Sequence, residues 1–439
     1  MKNKYPFYFL ATALTCLLLS LLIGMLSSVQ YAVPSFIKNI IPFTVFRPLH
    51  TLFSVSWIFI GAIGGIFYYT SKEDENAKFR NVMKVLFWLF ALTGIGIAVS
   101  YLAKNFEGKE YLEFPHFFYF PILLGWILFG VYYFKFLFSR KGLFPAYYWM
   151  WGTGIVTMIF HFTEAHLWIL PYFQGDYMQN LSMQWKANGS AVGAWNMLVY
   201  GTSMYVMAKT SGSDAYSRSK TAFFFYFLSL VNLMFNWAHH VYPIPIAPWI
   251  RIAAYVISMT EWLILFSMIY NWSKSLSKEK KAVYSPAHRF MILSDVWIVL
   301  NLLLAISISI PAVNYFTHGT HFTVAHAMGT TIGINTLILL SSISYLLENQ
   351  NPFSEQDKRW LKVGTNIFNI SFVCFWIVLI VMGAERSEWR YSEKNVPFAV
   401  FREEMHGIYT AFAVSGAGIL IGLSIVLFYL FKSLKKAVK

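Results

Sequence analysis

Runs of apolar residues recur along the chain at intervals of roughly thirty to forty residues. Each is long enough to cross a hydrocarbon core, which takes about 20 residues at about 1.5 Å per residue. Runs of that length predict helices rather than barrel strands. The pattern places about twelve spans, at residues 7–29, 47–70, 82–103, 117–138, 146–171, 187–209, 220–242, 248–272, 287–312, 321–347, 364–384 and 405–431. The first run follows Lys2 and Lys4, but it is too long for the apolar part of a signal peptide and no small-x-small cleavage site closes it, so it is read as a helix. No stretch is long and polar enough for a separate soluble domain, and no repeat or low-complexity segment stands out. Residues 1–439 are therefore expected to form a single all-α membrane domain. Its longest loops, Tyr31 to Phe46, Lys104 to His116, Pro171 to Lys186 and Glu385 to Arg402, would make a thin cap over one face.

Composition strengthens this picture. With 57% hydrophobic, 19% aromatic and 12% charged residues, the chain has too little polar surface to cover a water-soluble globule. The net charge of +14 is explained by topology: with the amino terminus inside, most of the 34 lysines and arginines face the cytoplasm, among them Lys274, Lys278, Lys280, Lys281, Lys435, Lys436 and Lys439. Both termini are then cytoplasmic. The anionic lipid of the inner leaflet accounts for the basic surface, which leaves no reason to invoke nucleic acid. Cys16 and Cys374 both fall in apolar spans, so neither a disulfide nor a redox pair is expected. No CxxCH occurs either, so the chain has no site for covalent attachment of a c-type haem.

Projected onto this topology, the eleven histidines are unevenly placed. His50, His116, His161, His166, His239, His240, His318, His321, His326 and His406 fall at or just beyond the outer ends of helices; only His288 lies at the inner face. Histidine within a membrane is costly and usually has a reason to be there, so a layer of metal or haem at one depth accounts for them better than ten unrelated side chains. An interfacial histidine can also serve only a loop carbonyl, and His116, His318, His321 and His406 fit that reading as well. His239 and His240 stand about 100° apart on one helix and can flank a metal if a third ligand comes from a neighbour. His326 lies one turn into its helix, where its imidazole could hold a haem iron, and Met328 points to the opposite face, so two haems could flank this helix. His50 lies at the same depth and is the natural partner of Met328 for a six-coordinate haem, with the guanidinium of Arg47 available to a haem propionate.

This constellation resembles the haem-copper oxidase superfamily and, within it, the large subunit of nitric oxide reductases. RPLHTLFSVSWIFIGAIGGIFYY is similar to the family's second helix with its low-spin haem histidine, here His50. NWAHHVYP resembles the paired-histidine metal motif (His239, His240), and SMTEWLILF places Glu261 on the family's buried glutamate beside the binuclear site. NYFTHGTHFTVAHAMG resembles the segment whose HxH binds both haems, His326 on the high-spin side; GKEYLEFP resembles the outer-loop motif whose glutamate, here Glu113, helps bind calcium between propionates. The resemblance implies a twelve-helix haem-copper oxidase-like bundle in the bacterial inner (cytoplasmic) membrane. It also implies two haems of b type, one non-haem iron or copper, and calcium. A membrane-anchored cytochrome c or cupredoxin subunit would donate electrons. Two departures stand out: Met328 replaces the second histidine of HxH, and in WKANGSAVGAWN the helix-6 metal histidine is replaced by Asn188, with Val192 one turn on. An asparagine carbonyl is a harder and weaker donor than imidazole, so the metal should be held less tightly or differ in kind. His161, Glu164 and His166 lie at the same depth and either compensate or form a hydrogen-bond network under the cap.

The favoured function is reduction of two nitric oxide molecules to N2O and water, with Glu261 passing protons and Asn188, His239 and His240 at the non-haem metal. A terminal oxygen reductase is disfavoured because Val192 stands where oxidases typically carry the tyrosine linked to a metal histidine. Proton pumping is disfavoured because few membrane-embedded acids lie between the inner face and the site beyond Asp295 and Glu261. Nitric oxide dismutation is the chief enzymatic rival, since its proposed catalysts also carry asparagine at the helix-6 position. A haem protein of electron transfer or sensing, without the non-haem metal, and a transporter are the non-enzymatic alternatives.

Overall fold

A computed structural model describes residues 3–73, 77–235, 237–238, 247–258, 261–392 and 395–438. The order is α1 (Tyr5–Ala32), α2 (Phe43–Glu73), α3 (Ala77–Leu102), α4 (Tyr119–Phe138), α5 (Ala146–Glu164), α6 (Tyr177–Ser211), α7 (Lys220–Phe235), α8 (Pro248–Ser258), α9 (Glu261–Ser275), α10 (Lys278–Val283), α11 (Ser285–Ser309), α12 (Pro311–Thr317), α13 (His321–Met328), α14 (Leu337–Gln350), α15 (Glu355–Tyr391), α16 (Phe398–Glu404) and α17 (His406–Val438). A π-helical segment, Gly329–Thr336, joins α13 to α14 in one continuous rod. Among the described residues the regular structure is helical, apart from a single bridge between Lys109 and Leu112.

Eight of the described helices are long and apolar enough to cross a membrane: Tyr5–Ala32, Phe43–Lys72, Arg80–Leu102, His116–Phe138, Ser285–Ser309, His321–Gln350, Glu355–Tyr391 and His406–Val438. Their outward faces are apolar in helical register, as Val414, Ile421 and Phe428 show on α17 and Phe120, Leu124, Ile127 and Val131 on α4. Such stripes are solvated by lipid tails, while backbone polar groups are satisfied within each helix.

Among the described residues the other four expected spans do not meet that combination of length and apolarity, so the twelve-span count exceeds what these eight helices establish. The spans expected at 146–171 and 187–209 correspond to α5 and α6. The latter turns Ser190, Asn196, Thr202, Ser203 and Thr210 into the protein interior, which lowers its hydropathy without exposing those groups to lipid. Its ends are well marked: Asp176 accepts from the backbone of Met178 and Gln179, and Gly212 closes the helix at φ 77°, the left-handed cap that glycine adopts without strain. The regions expected to span at 220–242 and 248–272 hold shorter apolar helices, and residues 236, 239–246 and 259–260 lie outside the described residues.

Antiparallel packing of α1 on α2 is fixed by Phe9 against Phe67, Phe7 against Tyr68 and Gln30 Nε2 donating to the carbonyl of Ile41 at 3.0 Å. A single large core runs through the bundle. A second apolar cluster of Leu304, Ile308, Ala325, Leu379, Met382, Phe401, Met405 and Tyr409 joins α11, α13, α15, α16 and α17; Met328 packs against both.

Candidate haem and metal site

Among the described residues, His116, His161, His166, His318 and His321 gather at one end of the bundle through a chain of contacts. Arg47, at the start of α2, pairs with Glu110 and with Glu113, the latter at 3.1 Å, which ties the 104–116 loop to α2. The backbone carbonyl of Glu110 accepts from Asn188 Nδ2 at 3.3 Å, bringing in the start of α6. Glu164 at the end of α5 bridges Lys186 of α6 and Nδ1 of His161, the latter at 3.0 Å. His166 stacks on Phe114, and its Nδ1 donates to the carbonyl of Phe162 at 2.8 Å. Trp185 meets the ring of His318, and Tyr31, at the end of α1, meets His321. His116 engages Glu107 at 2.6 Å. His288 is apart from these, bonded to Ser273 at 2.9 Å beside Trp272.

Two buried hydrogen bonds set the depth of the predicted ligands. Trp57 Nε1 of α2 donates to Thr336 Oγ1 at 2.9 Å, and Asn335 Nδ2 donates to Asn196 Oδ1 of α6 at 3.2 Å. Both acceptor and donor on the rod lie in its π-helical segment. About two turns from these bonds toward the histidine-rich end stand His50 on α2, Asn188 on α6, and His326 and Met328 on α13. The four residues therefore lie at one depth on three helices. The π turn immediately follows Met328; such bulges occur frequently at functional sites, and Thr336 Oγ1 reaching the carbonyl of Thr331 at 2.9 Å belongs to its wider winding. Asn301 Nδ2 donates to Thr330 Oγ1 at 2.9 Å and Trp376 Nε1 to the carbonyl of Ala325 at 3.1 Å, so the rod that carries His326 and Met328 is braced by α11 and α15.

The donor chemistry fits haem at His50. Its Nδ1 lies 2.9 Å from the carbonyl of Ser20, a pure acceptor, so Nδ1 carries the proton and Nε2 presents its lone pair. His50, His326 and Met328 are half-buried although they sit in the bundle. Asn188 spends Nδ2 on Glu110, which leaves Oδ1 as the atom it can offer a cation.

The paired residues His239 and His240 lie outside the described residues. Glu261 opens α9, but its side chain lies outside them as well. The structure thus brings together His50, Asn188, His326 and Met328 in depth, and Arg47 with Glu113 in direct contact. It does not address the rest of the predicted set.

Glu113 is mostly buried. Burial pushes its carboxyl above the usual range, against backbone hydrogen bonds and the Arg47 guanidinium, which lower it. Its Oε2 is buried with no hydrogen-bond partner among the described residues; an orphaned anionic oxygen of this kind suits a hard cation. The sequence suggests Arg47 for a propionate; in the structure two of its five N–H groups already serve carboxylates. Glu110, Lys186, Ser20 and the asparagines at 196 and 335 are not singled out by the sequence. The last two carry a usable signal, since an amide inside an apolar helix needs an internal partner.

A family model described as Cytochrome C and Quinol oxidase polypeptide I matches residues 5–418. The chain is 21% identical over 394 residues to a nitric oxide reductase polypeptide of Stutzerimonas stutzeri, covering 82% of this chain and 80% of that protein. It is 24% identical over 427 residues to a cytochrome c oxidase subunit 1 homolog of Agrobacterium tumefaciens (92% and 78% covered). It is also 24% identical over 381 residues to cytochrome c oxidase subunit 1 of Rhodobacter capsulatus (82% and 69%). Its fold matches a heme-copper terminal oxidase dimer solved by cryo-EM with a TM-score of 0.74 at 15% identity, over 100% of this chain and 84% of that one. With the family match spanning nearly the whole bundle and the fold following it, the chain belongs to the cytochrome c and quinol oxidase polypeptide I family, the haem-copper oxidases, whose members are membrane oxidoreductases.

Proposed function

We propose that this protein is a nitric oxide reductase catalytic subunit of the bacterial inner membrane, spanning it about twelve times and converting 2 NO, 2 electrons and 2 protons to N2O and water. The observation that carries this reading is the shared depth of His50, Asn188, His326 and Met328, set by the Trp57–Thr336 and Asn196–Asn335 bonds. That depth suits a site for two haems and a non-haem metal bounded by α2, α6 and α13. His50 and Met328 would hold the low-spin haem, His326 the high-spin haem, and His239, His240 and Asn188 the metal. When bound, these groups supply the electrons and the Lewis acidity for joining two nitrogen atoms.

The chain's own residues do the rest. Asn188 offers Oδ1 as a hard, weak donor, held by its bond to Glu110. Arg47 and Glu113 neutralise one another beside the site, leaving guanidinium N–H groups for a propionate and one carboxylate oxygen for calcium. Glu261 passes protons to the site from the histidine-rich side. Electrons arrive from a membrane-anchored cytochrome c or cupredoxin subunit.

Val192 supports reduction of NO rather than oxygen, since no phenol stands one turn from Asn188 on α6. Asn188 itself favours dismutation of NO as a second reading. Gas analysis of the purified, pre-reduced protein separates them: after NO addition, N2O alone supports the reductase and N2 with O2 the dismutase, while uptake of O2 supplied in place of NO, with no N2O formed from NO, marks an oxygen reductase. A protein that carries haem but no non-haem metal would be an electron carrier, and one that carries no haem after expression with ample supply would overturn the enzymatic reading.

A further inference from the structure

We infer that α1 positions the imidazole of His50: the carbonyl of Ser20 accepts a hydrogen bond from Nδ1–H and Gly24 leaves the room the ring occupies, so that Nε2 is the nitrogen left to offer iron a lone pair. The inference rests on His50 being a haem ligand, as proposed above. It assigns to α1, which supplies no ligand, the orientation of one that it touches.

Two independent features meet on this ring. The first is the hydrogen bond: Nδ1 lies 2.9 Å from the backbone oxygen of Ser20 and 3.4 Å from its Oγ, which in turn lies 2.5 Å from Ser54 Oγ. A carbonyl cannot donate, so the bond fixes the tautomer, and the hydroxyl pair holds the ring edge without offering an alternative to Nε2. The second is steric. A Cβ at position 24 would stand 2.8 Å from Cε1 and 2.9 Å from Nδ1 of His50. Those distances are below van der Waals contact, so any side chain here must push the ring away from α1.

The ring cannot yield freely. A shift of the few tenths of an ångström that relieves the contact stretches the 2.9 Å Nδ1 bond to Ser20 and weakens it, so the ring gives way only at the expense of the bond that orients it. Glycine in a helix interior is less favourable than alanine, and small residues in membrane helices let neighbouring helices approach. Here the neighbour that approaches is a side chain with lone-pair chemistry rather than a backbone. A carbonyl bond to the distal nitrogen also raises the electron density of an imidazole ligand, so the contact bears on potential as well as geometry.

The test uses the full-length protein purified with haem, as wild type and as Gly24→Ala, Gly94→Ala and His50→Ala. Gly94 is the control, since a Cβ there meets nothing within 4 Å. Haem content, the low-spin band of the reduced spectrum and the low-spin reduction potential are read in each. Expected are wild-type values for Gly94→Ala, loss of the low-spin band in His50→Ala, and in Gly24→Ala either loss of that band or a shifted potential with the high-spin haem retained. A Gly24→Ala protein with the wild-type band and potential overturns the inference. A His50→Ala protein that keeps its low-spin band overturns instead the ligand assignment beneath it. Should Gly24→Ala fail to accumulate, the double variant Gly24→Ala/His50→Gly removes the ring that the new methyl meets. Restored accumulation then supports the contact, and continued failure overturns it.

Discussion

At the scale of single residues, the structure separates what a side chain is from what it has left to give. Arg47 reads in sequence as a propionate partner, and its guanidinium is shared between Glu110 and Glu113; the salt pair consumes part of its donor capacity and orders the loop beside the site. Asn188 likewise gives its amide N–H to Glu110 and keeps an oxygen. Ligand variants follow. His326→Ala should abolish NO turnover and the high-spin haem signal while sparing the low-spin haem; turnover at the wild-type rate would refute the assignment. Met328→His exchanges a thioether for an imidazole and should lower the low-spin potential, because His/Met ligation raises it relative to bis-His. A redox titration reads this, and an unmoved potential means that Met328 is not a ligand. Glu113→Gln removes the charge on the orphaned oxygen and should reduce the calcium retained after dialysis, measured by elemental analysis; equal calcium in both proteins would place the ion elsewhere or nowhere.

At the scale of elements, helices are held in register by a few polar bonds inside an apolar bundle. Trp57 to Thr336 and Asn335 to Asn196 link residues 279 and 139 positions apart in sequence, and each acts where water does not compete. Removing one partner strands the other, at a cost of about 1–3 kcal/mol. Asn196→Leu should therefore lower the thermal midpoint in detergent and disturb haem content, since Asn196 and Asn188 share α6. An unchanged midpoint would mean that packing alone sets the register. The inward serines, threonines and asparagines of α6 also explain why its hydropathy falls short of the other spans: their polarity is directed at protein, and lipid never meets it.

At the scale of the whole molecule, the gathering of histidines at one end and of Lys274, Lys278, Lys280 and Lys281 around the other gives the bundle a polarity that the positive-inside rule converts into an orientation. Single cysteines at Glu107 and at Glu279 should be labelled by a membrane-impermeant reagent from opposite sides of the membrane, Glu107 from outside; labelling of both from one side would refute the topology. The sequence alone determined the helical membrane class and the family motifs, because the length of an apolar run and the identity of a residue in a motif are properties of a short stretch of chain. It did not separate helices of a full span from those that bury polar groups, since hydropathy does not say which way a serine faces. Only the tertiary structure decided which nitrogen of His50 is free, where Arg47 spends its donors, how the π turn after Met328 is braced, and which residues share a depth. Each of these depends on a partner brought from a distant helix, and periodicity within one helix carries no record of its neighbour's register.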